Sequence, residues 1–121
     1  MKSLVFAVML IFTAWSQGLA GEADVLEVKC VKTGESSFQI WVTVQHDDEG
    51  WEHYADKWDV LDMEGNLLDT RVLLHPHSAE PFTRSIPQVE IPAEIKKIRV
   101  RAHDSVHGYG GKEMIVKVPW K

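Results

Sequence analysis

Cysteine is almost absent from this 121-residue sequence, which contains one, Cys30. A single cysteine cannot form an internal disulfide, so a hydrophobic core must stabilise the folded chain. In the segment VLEVKCV, Leu26, Val28 and Cys30 alternate with charged residues and share one face. Since free cysteine is usually a buried apolar residue, we expect Cys30 to face inward, unpaired. The charged residues of the preceding EVK argue against a lipid anchor at Cys30.

An excess of positive charge is also missing. The chain has 13 Lys and Arg against 18 Asp and Glu, which gives a formal charge of −5. Because neutralising phosphates requires a basic face, we do not expect nucleic acid as a partner. No stretch has a convincing helical repeat, and none matches a zinc-finger or His-Glu-x-x-His pattern. These absences favour a small acidic binding module as the functional class of the protein.

Long apolar runs are confined to the beginning of the sequence. Residues 4–12 are apolar, Lys2 precedes them, and Gly18, Leu19 and Ala20 form a small-x-small cleavage pattern. The run is too short for a membrane span, which needs about 20 residues. We therefore expect a signal peptide at residues 1–20 and one domain at 21–121, periplasmic or secreted and not inserted in a membrane. Cleavage after Ala23 is an alternative.

Period-two alternation dominates the remainder of the chain. In SFQIWVTVQH, the residues Phe38, Ile40, Val42 and Val44 form one apolar row. The pattern predicts about seven strands that begin near residues 24, 37, 56, 67, 85, 97 and 112. So many short strands between turn signals favour an all-β fold, a single antiparallel sandwich of immunoglobulin or fibronectin type III kind. Trp58, on the third strand, is expected in its core.

Three phrases of the sequence, GWEHYADKW, HPH…PFTRS and DSVHGYGG, are distinctive. Together they resemble a family of small exported bacterial proteins of uncharacterised activity. That resemblance implies no activity, and no functional residue is assigned from it. Residues 89–102, in which Ile91-Pro92 precedes the alternating IRVRA, resemble the approach to the sixth strand of fibronectin type III domains.

The six histidines fall in or beside three alternating connections of the predicted sandwich. They are His46 and His53 after the second strand, His75 and His77 after the fourth, and His103 and His107 around the sixth connection. Because an antiparallel chain reverses at every connection, these three connections emerge at one pole of the sandwich. The opposite pole receives ordinary turn sequences such as MEGN.

Histidine clustered with carboxylates suggests a metal site. We hypothesise that His75, His77 and one or both of His103 and His107 converge on a divalent ion, with Asp104 or His53 as a further ligand. Imidazole and carboxylate ligands favour zinc or copper(II). The alternative is a hydrogen-bonded network that ties the loops together without any metal.

Aromatic residues and one arginine at the same pole offer a second type of site. Trp51, Tyr54, Tyr109 and Arg84 could bind a protein, a carbohydrate or a small ligand. Alternatively, the aromatic rings cover the core and Arg84 pairs with a loop carboxylate. Ser105 lacks a nucleophile-elbow sequence, so we expect a binding module, monomeric or weakly dimeric, rather than an enzyme.

Overall fold

The computed structural model describes residues 22–47, 50–77 and 79–121. The predicted signal peptide, residues 1–20, lies outside the described residues. Within these ranges, no helix has the length and apolar character that crossing a membrane would require.

The described chain folds into seven strands in two antiparallel sheets. The strands are β1 (Asp24–Lys32), β2 (Ser37–Gln45), β3 (Ala55–Leu61), β4 (Leu67–Val72), β5 (Phe82–Glu90), β6 (Lys97–Asp104) and β7 (Met114–Lys117). One sheet has the order β1-β2-β5 and the other β4-β3-β6-β7. The predicted all-β sandwich of seven strands is confirmed. β5 begins about three residues earlier than the sequence pattern suggests, within the ordinary uncertainty of element boundaries. The assignment to the immunoglobulin or fibronectin type III kind stays a prediction.

The alternating rows form the core between the sheets. Phe38, Ile40, Val42 and Val44 of β2 are fully buried, as are Ile98 and Val100 of β6. Trp58 on β3 is fully buried as well, which confirms its predicted place in the core. Each large apolar side chain buried in this way contributes about 1.5–3 kcal/mol relative to exposure.

Strand β1 departs from the predicted alternation. A β-bulge lies between Val25 and Glu27, where the register with β2 shifts by one residue. As a result Val25 is fully buried, while Leu26 is 41% exposed. The prediction that Leu26 shares the inward face is therefore wrong, because Leu26 is the extra, unpaired residue of the bulge and Val25 takes the inward side in its place.

Cys30 lies beyond the bulge on the same edge strand. Its thiol is free, and the residue is half-buried where it packs against the core. Burial raises the pKa of this thiol to about 11. The expectation of an unpaired cysteine is confirmed, and its burial is partial because β1 has a neighbouring strand on only one side.

Three connections meet at one end of the sandwich. We call this end the histidine pole, and it consists of the described residues within 46–54, 73–81 and 103–113. The backbone N–H of Tyr54 donates to Ser105 Oγ at 3.0 Å, and the N–H of Ser105 donates to the Tyr54 carbonyl at 2.9 Å. The His46 N–H donates to Glu80 Oε1 at 2.9 Å. These bonds tie all three connections together.

Candidate metal centre

Two polar residues continue the apolar rows of the core into the histidine pole. His46 follows Val44 by two positions, and Asp104 follows Ala102 by two positions, so each points to the same side as the core residue before it. His46 is 2% exposed and Asp104 is 0% exposed. Since β2 and β6 belong to different sheets, these two residues close the end of the sandwich from both layers.

The carboxylate of Asp104 is the centre of a compact group of polar contacts. Its Oδ2 atom contacts Nε2 of His46 and lies 2.7 Å from Nε2 of His53. Its Oδ1 atom accepts the backbone N–H groups of Val106 at 2.6 Å and His107 at 2.8 Å. Both oxygens are therefore held by groups from the surrounding connections.

These contacts set the charge of the buried carboxyl. Burial by itself would raise the pKa of Asp104, but the hydrogen bonds from the backbone N–H groups of His107 and Val106 and from His46 and His53 outweigh it. The net effect lowers the pKa below its ordinary value. The site consequently holds a buried negative charge at neutral pH.

His46, His53 and Asp104, which we call the His-His-Asp group, combine residue types that could hold a metal ion. One ligand atom from each residue lies within 4.8 Å of the other two. Two imidazole nitrogens and a carboxylate oxygen are suited to zinc or copper(II). The ring of His107, an exposed residue, lies 5.1 Å from the ring of His53. A third imidazole, and so a fourth ligand, is thus available beside the group.

Two of the residues predicted as metal ligands belong to the His-His-Asp group, and the other four lie outside it. His53 and Asp104 belong to the group, with His107 beside it. His46 is the third member, and the sequence hypothesis assigns it no ligand role. The signal that could have identified it is the period-two row of β2, because that row predicts an inward-facing imidazole at the end of the core.

The remaining predicted ligands make other contacts at the pole. Nδ1 of His103 lies 2.6 Å from Asp56 Oδ1, and its ring packs edge-on against Tyr109 at 4.8 Å. His75 and His77 have their ring centroids 5.2 Å apart, and His77 stacks on Phe82 at 3.7 Å. None of these three histidines is part of the His-His-Asp group found in the described ranges.

The predicted partner-binding residues lie in different surroundings. Trp51 is 69% exposed, and its ring lies 5.9 Å from that of Tyr54. Tyr109 instead folds onto the outer face of the four-stranded sheet, where the guanidinium of Arg101 lies 3.7 Å from its ring centroid. Arg84 donates to the carbonyl of Thr83 at 2.7 Å. Of these four residues, only Trp51 and Tyr54 present an open aromatic surface.

Asp59 anchors Tyr109 to the sheet. This carboxylate is 2% exposed, and it accepts the Tyr109 hydroxyl at 2.6 Å, Thr70 Oγ1 at 2.9 Å and Arg101 Nε at 3.1 Å. Burial would raise the pKa of Asp59, but these bonds and the Arg101 charge lower it overall. Tyr109 therefore fixes the connection that carries His107.

Comparison with known proteins finds similarity to an archaeal protein. Over 95 residues, the chain is 44% identical to a protein of Halomicrobium mukohataei described as "Putative lipoprotein". The aligned region covers 78% of this chain and 47% of that protein, so the chain spans about half the length of the relative. No family model and no solved structure matches the chain. The relative's description names no activity, so function has to be argued from the site.

Proposed function

We propose that this chain is an exported binding module that holds one divalent transition metal ion, zinc or copper(II), at His46, His53 and Asp104. The observation that carries the proposal is the approach of two imidazole Nε2 atoms to one buried carboxylate oxygen. The three ligand atoms now contact one another through hydrogen bonds, and a bound ion would take the place of those bonds.

Charge supports a cation at this point. Asp104 is buried and its pKa is lowered, so the ionised carboxylate forms in a place with little access to water. A divalent ion compensates that charge directly, and it replaces the protons that the two imidazoles otherwise share with the carboxylate. Zinc or copper(II) accepts this mixed nitrogen and oxygen ligand set.

Ring geometry supports His107 as a fourth ligand. Two imidazoles bound to one tetrahedral ion at ordinary metal–nitrogen distances have ring centroids about 5 Å apart. The His46–His53 distance is 5.0 Å and the His53–His107 distance is 5.1 Å. Three buried or half-buried ligands would hold the ion, and the exposed His107 would close the coordination sphere from the solvent side.

Separate observations support the proposed location and mode of action. The apolar segment at residues 4–12 and a relative described as a lipoprotein support an exported chain. Ser105, the serine next to Asp104 in sequence, accepts the Tyr54 N–H at its Oγ, an arrangement that supports binding or carriage of the ion rather than hydrolysis. The acidic net charge supports a partner other than nucleic acid.

Calorimetric titration with Zn²⁺ and Cu²⁺ tests the proposal. We expect one equivalent to bind with a dissociation constant of about 1 µM or tighter, and at least about 100-fold weaker binding in His53→Ala, because one of few ligands is lost. His103→Ala is the matched control, since it removes a half-buried histidine of the same pole that lies outside the group. Absence of binding, or equal binding in His53→Ala, would leave the group as a structural network.

A second candidate function rests on the exposed aromatic pair. Trp51 is 69% exposed, and Tyr54 packs beside it. An exposed tryptophan of this kind suits stacking on a sugar ring or an apolar peptide side chain. If metal and chelator leave stability unchanged while Trp51→Ala abolishes binding to an oligosaccharide or peptide, this function replaces the first.

A further inference from the structure

A groove separate from the His-His-Asp group lies beside the connection from β4 to β5. Its volume is about 520 Å³, and its lining includes His75, His77, Phe82 and Arg84 together with Pro76 and Pro81. This volume is in the range of about 300–1,000 Å³ that accommodates small organic ligands. We infer that the groove binds a small organic carboxylate with a flat apolar body, independently of the metal proposal.

The charge of the lining favours an anion. Arg84 brings a permanent positive charge, and among the described residues that line the groove none is acidic, although the chain as a whole has a net charge of −5. Glu80 is next to Pro81 in sequence. Its Oε1 accepts the backbone N–H of His46 at 2.9 Å, so that oxygen is already bonded to the His-His-Asp group. A guanidinium matches the two oxygens of a carboxylate in shape and charge.

The guanidinium is positioned rather than loosely solvated. Its Nη1 donates to the Thr83 carbonyl at 2.7 Å, which uses one of its five N–H donors. Its carbon lies 5.6 Å from the Phe82 ring centroid. Arg84 pairs with Val42 across the sheet and therefore emerges on the core-facing side of the edge strand β5. This placement brings the positive charge of Arg84 to the groove.

The apolar lining accounts for the flat body of the ligand. His77 and Phe82 are stacked with an interplanar angle of 7° and a centroid distance of 3.7 Å, which gives a rigid pair of parallel rings. Two prolines add apolar surface that does not rearrange easily. A planar acid could place its ring along these residues and its carboxylate toward Arg84.

The hydrogen bonding of His75 bears on whether the groove binds an anion or a metal ion. Its Nδ1 lies 3.0 Å from the Pro76 carbonyl, so Nδ1 carries the proton and Nε2 remains for a ligand. A neutral ring of this form could bind a metal, whereas a protonated ring donates to a carboxylate. The nearby Arg84 charge and the lack of a lining carboxylate favour the anion, because nothing in the described lining compensates a divalent cation.

Titration of the ¹⁵N-labelled protein with benzoate, followed by two-dimensional amide spectra, tests the inference. We expect saturable shifts at residues 75, 77, 82 and 84 with a dissociation constant of about 1 mM or tighter. The neutral isostere benzamide and the variant Arg84→Met should each weaken binding at least about tenfold, because both remove the charged pair. Arg99→Met, a half-buried arginine on β6, is the matched control and should bind as wild type.

Four results would overturn the inference: no saturable shift, equal binding of benzoate and benzamide, unchanged binding in Arg84→Met, or Zn²⁺ binding that His75→Ala/His77→Ala removes and benzoate does not affect. Thermal unfolding of each variant shows whether it is folded. His53→Ala separates this inference from the metal proposal, because it removes a ligand of the His-His-Asp group and should leave benzoate binding unchanged.

Discussion

Asp104 is the residue on which the histidine pole depends most. It is fully buried, and it accepts hydrogen bonds from two backbone N–H groups and two histidines. Removing one partner from a buried charged network is costly, because the other groups remain buried without their counterpart. With chelator present, we expect Asp104→Asn to lower the free energy of unfolding at pH 7 by at least about 3 kcal/mol.

The same variant has a predictable dependence on pH. The folded-state pKa of Asp104 lies below its ordinary value of 3.8, so its contribution is complete above that value and is lost as pH falls through the folded pKa. The free energies of unfolding of wild type and Asp104→Asn, measured in urea, should therefore converge below pH 3.8. Asp56→Asn, a half-exposed carboxylate paired with His103, should change stability by less than about 1 kcal/mol. If the free energies of unfolding of wild type and Asp104→Asn differed by the same amount across this pH range, the explanation would be contradicted.

Cys30 gives a second prediction at the scale of one residue. Burial raises the pKa of its thiol from 9.0 to about 11, so at pH 8 the thiolate fraction is about 100-fold lower than for an unperturbed thiol. Alkylation by iodoacetamide should be slow in the native protein and fast in denaturant. Cys30→Ala/Glu35→Cys, which moves the thiol to an exposed turn, is the control. Equally fast labelling of both native proteins would disprove the assignment.

At the scale of an element, the connection from β6 to β7 explains why a loop rich in glycine carries His107 and Tyr109. Gly108 has a φ of +75°, and its N–H and C=O both bond to the backbone of Asp104 at 2.9 Å, which closes a tight turn. The turn directs the His107 N–H to the Asp104 carboxylate. Tyr109 then fastens the following residues to Asp59 on the sheet.

Tyr109→Phe tests that attachment. The substitution removes the 2.6 Å hydrogen bond to Asp59 and keeps the ring against Arg101. Because the acceptor is a buried carboxylate, we expect a loss of about 1.5–3 kcal/mol in the free energy of unfolding, measured in urea. Tyr54→Phe, at a ring that packs on Trp51, is the control and should stay within about 0.5 kcal/mol of wild type. A loss no larger than in the control would show that the bond does not anchor the connection.

The end of the same connection packs closely against the start of β1. A Cβ added to Gly111 would overlap the backbone carbonyl of Ala23, and backbone cannot move aside cheaply. The Lys112 carbonyl accepts the Val25 N–H at 2.8 Å at this point. We expect Gly111→Ala to lower the melting temperature, with a cost of about 2 kcal/mol or more, whereas exposed Lys112→Ala should have little effect. A melting temperature equal to wild type would mean that the contact is not close in solution.

For the whole molecule, the His-His-Asp group joins the two sheets. His46 follows β2 in the three-stranded sheet, and Asp104 ends β6 in the four-stranded sheet. An ion bound there would oppose separation of the sheets, and a ligand that binds only the folded state stabilises it by mass action. Zinc at about 100 times its dissociation constant should raise the melting temperature by about 10 °C. His53→Ala should show no such rise, and an equal rise there would place the ion elsewhere.

The sequence by itself determined the sandwich and the pole at which the histidines lie. Alternation assigns each strand residue to the inside or the outside, and antiparallel reversal assigns each connection to one end. Alternation also contains the signal for His46 and Asp104, which continue the inward rows of Val44 and Ala102. Alternation assigns Leu26 to the wrong side of the sheet. A bulge changes which residues point inward, and VLEVKCV contains no clear marker of a bulge.

Only the tertiary structure decided which polar groups meet. The spacing of His75 and His77 describes one segment, whereas the contact of His46 and His53 with Asp104 depends on distances across the sandwich. The same holds for Tyr109, whose partner Asp59 is 50 residues away. Local sequence sets side-chain direction along a strand, but the approach of two connections is set by how the sheets pack. That packing depends on the whole core rather than on any one motif.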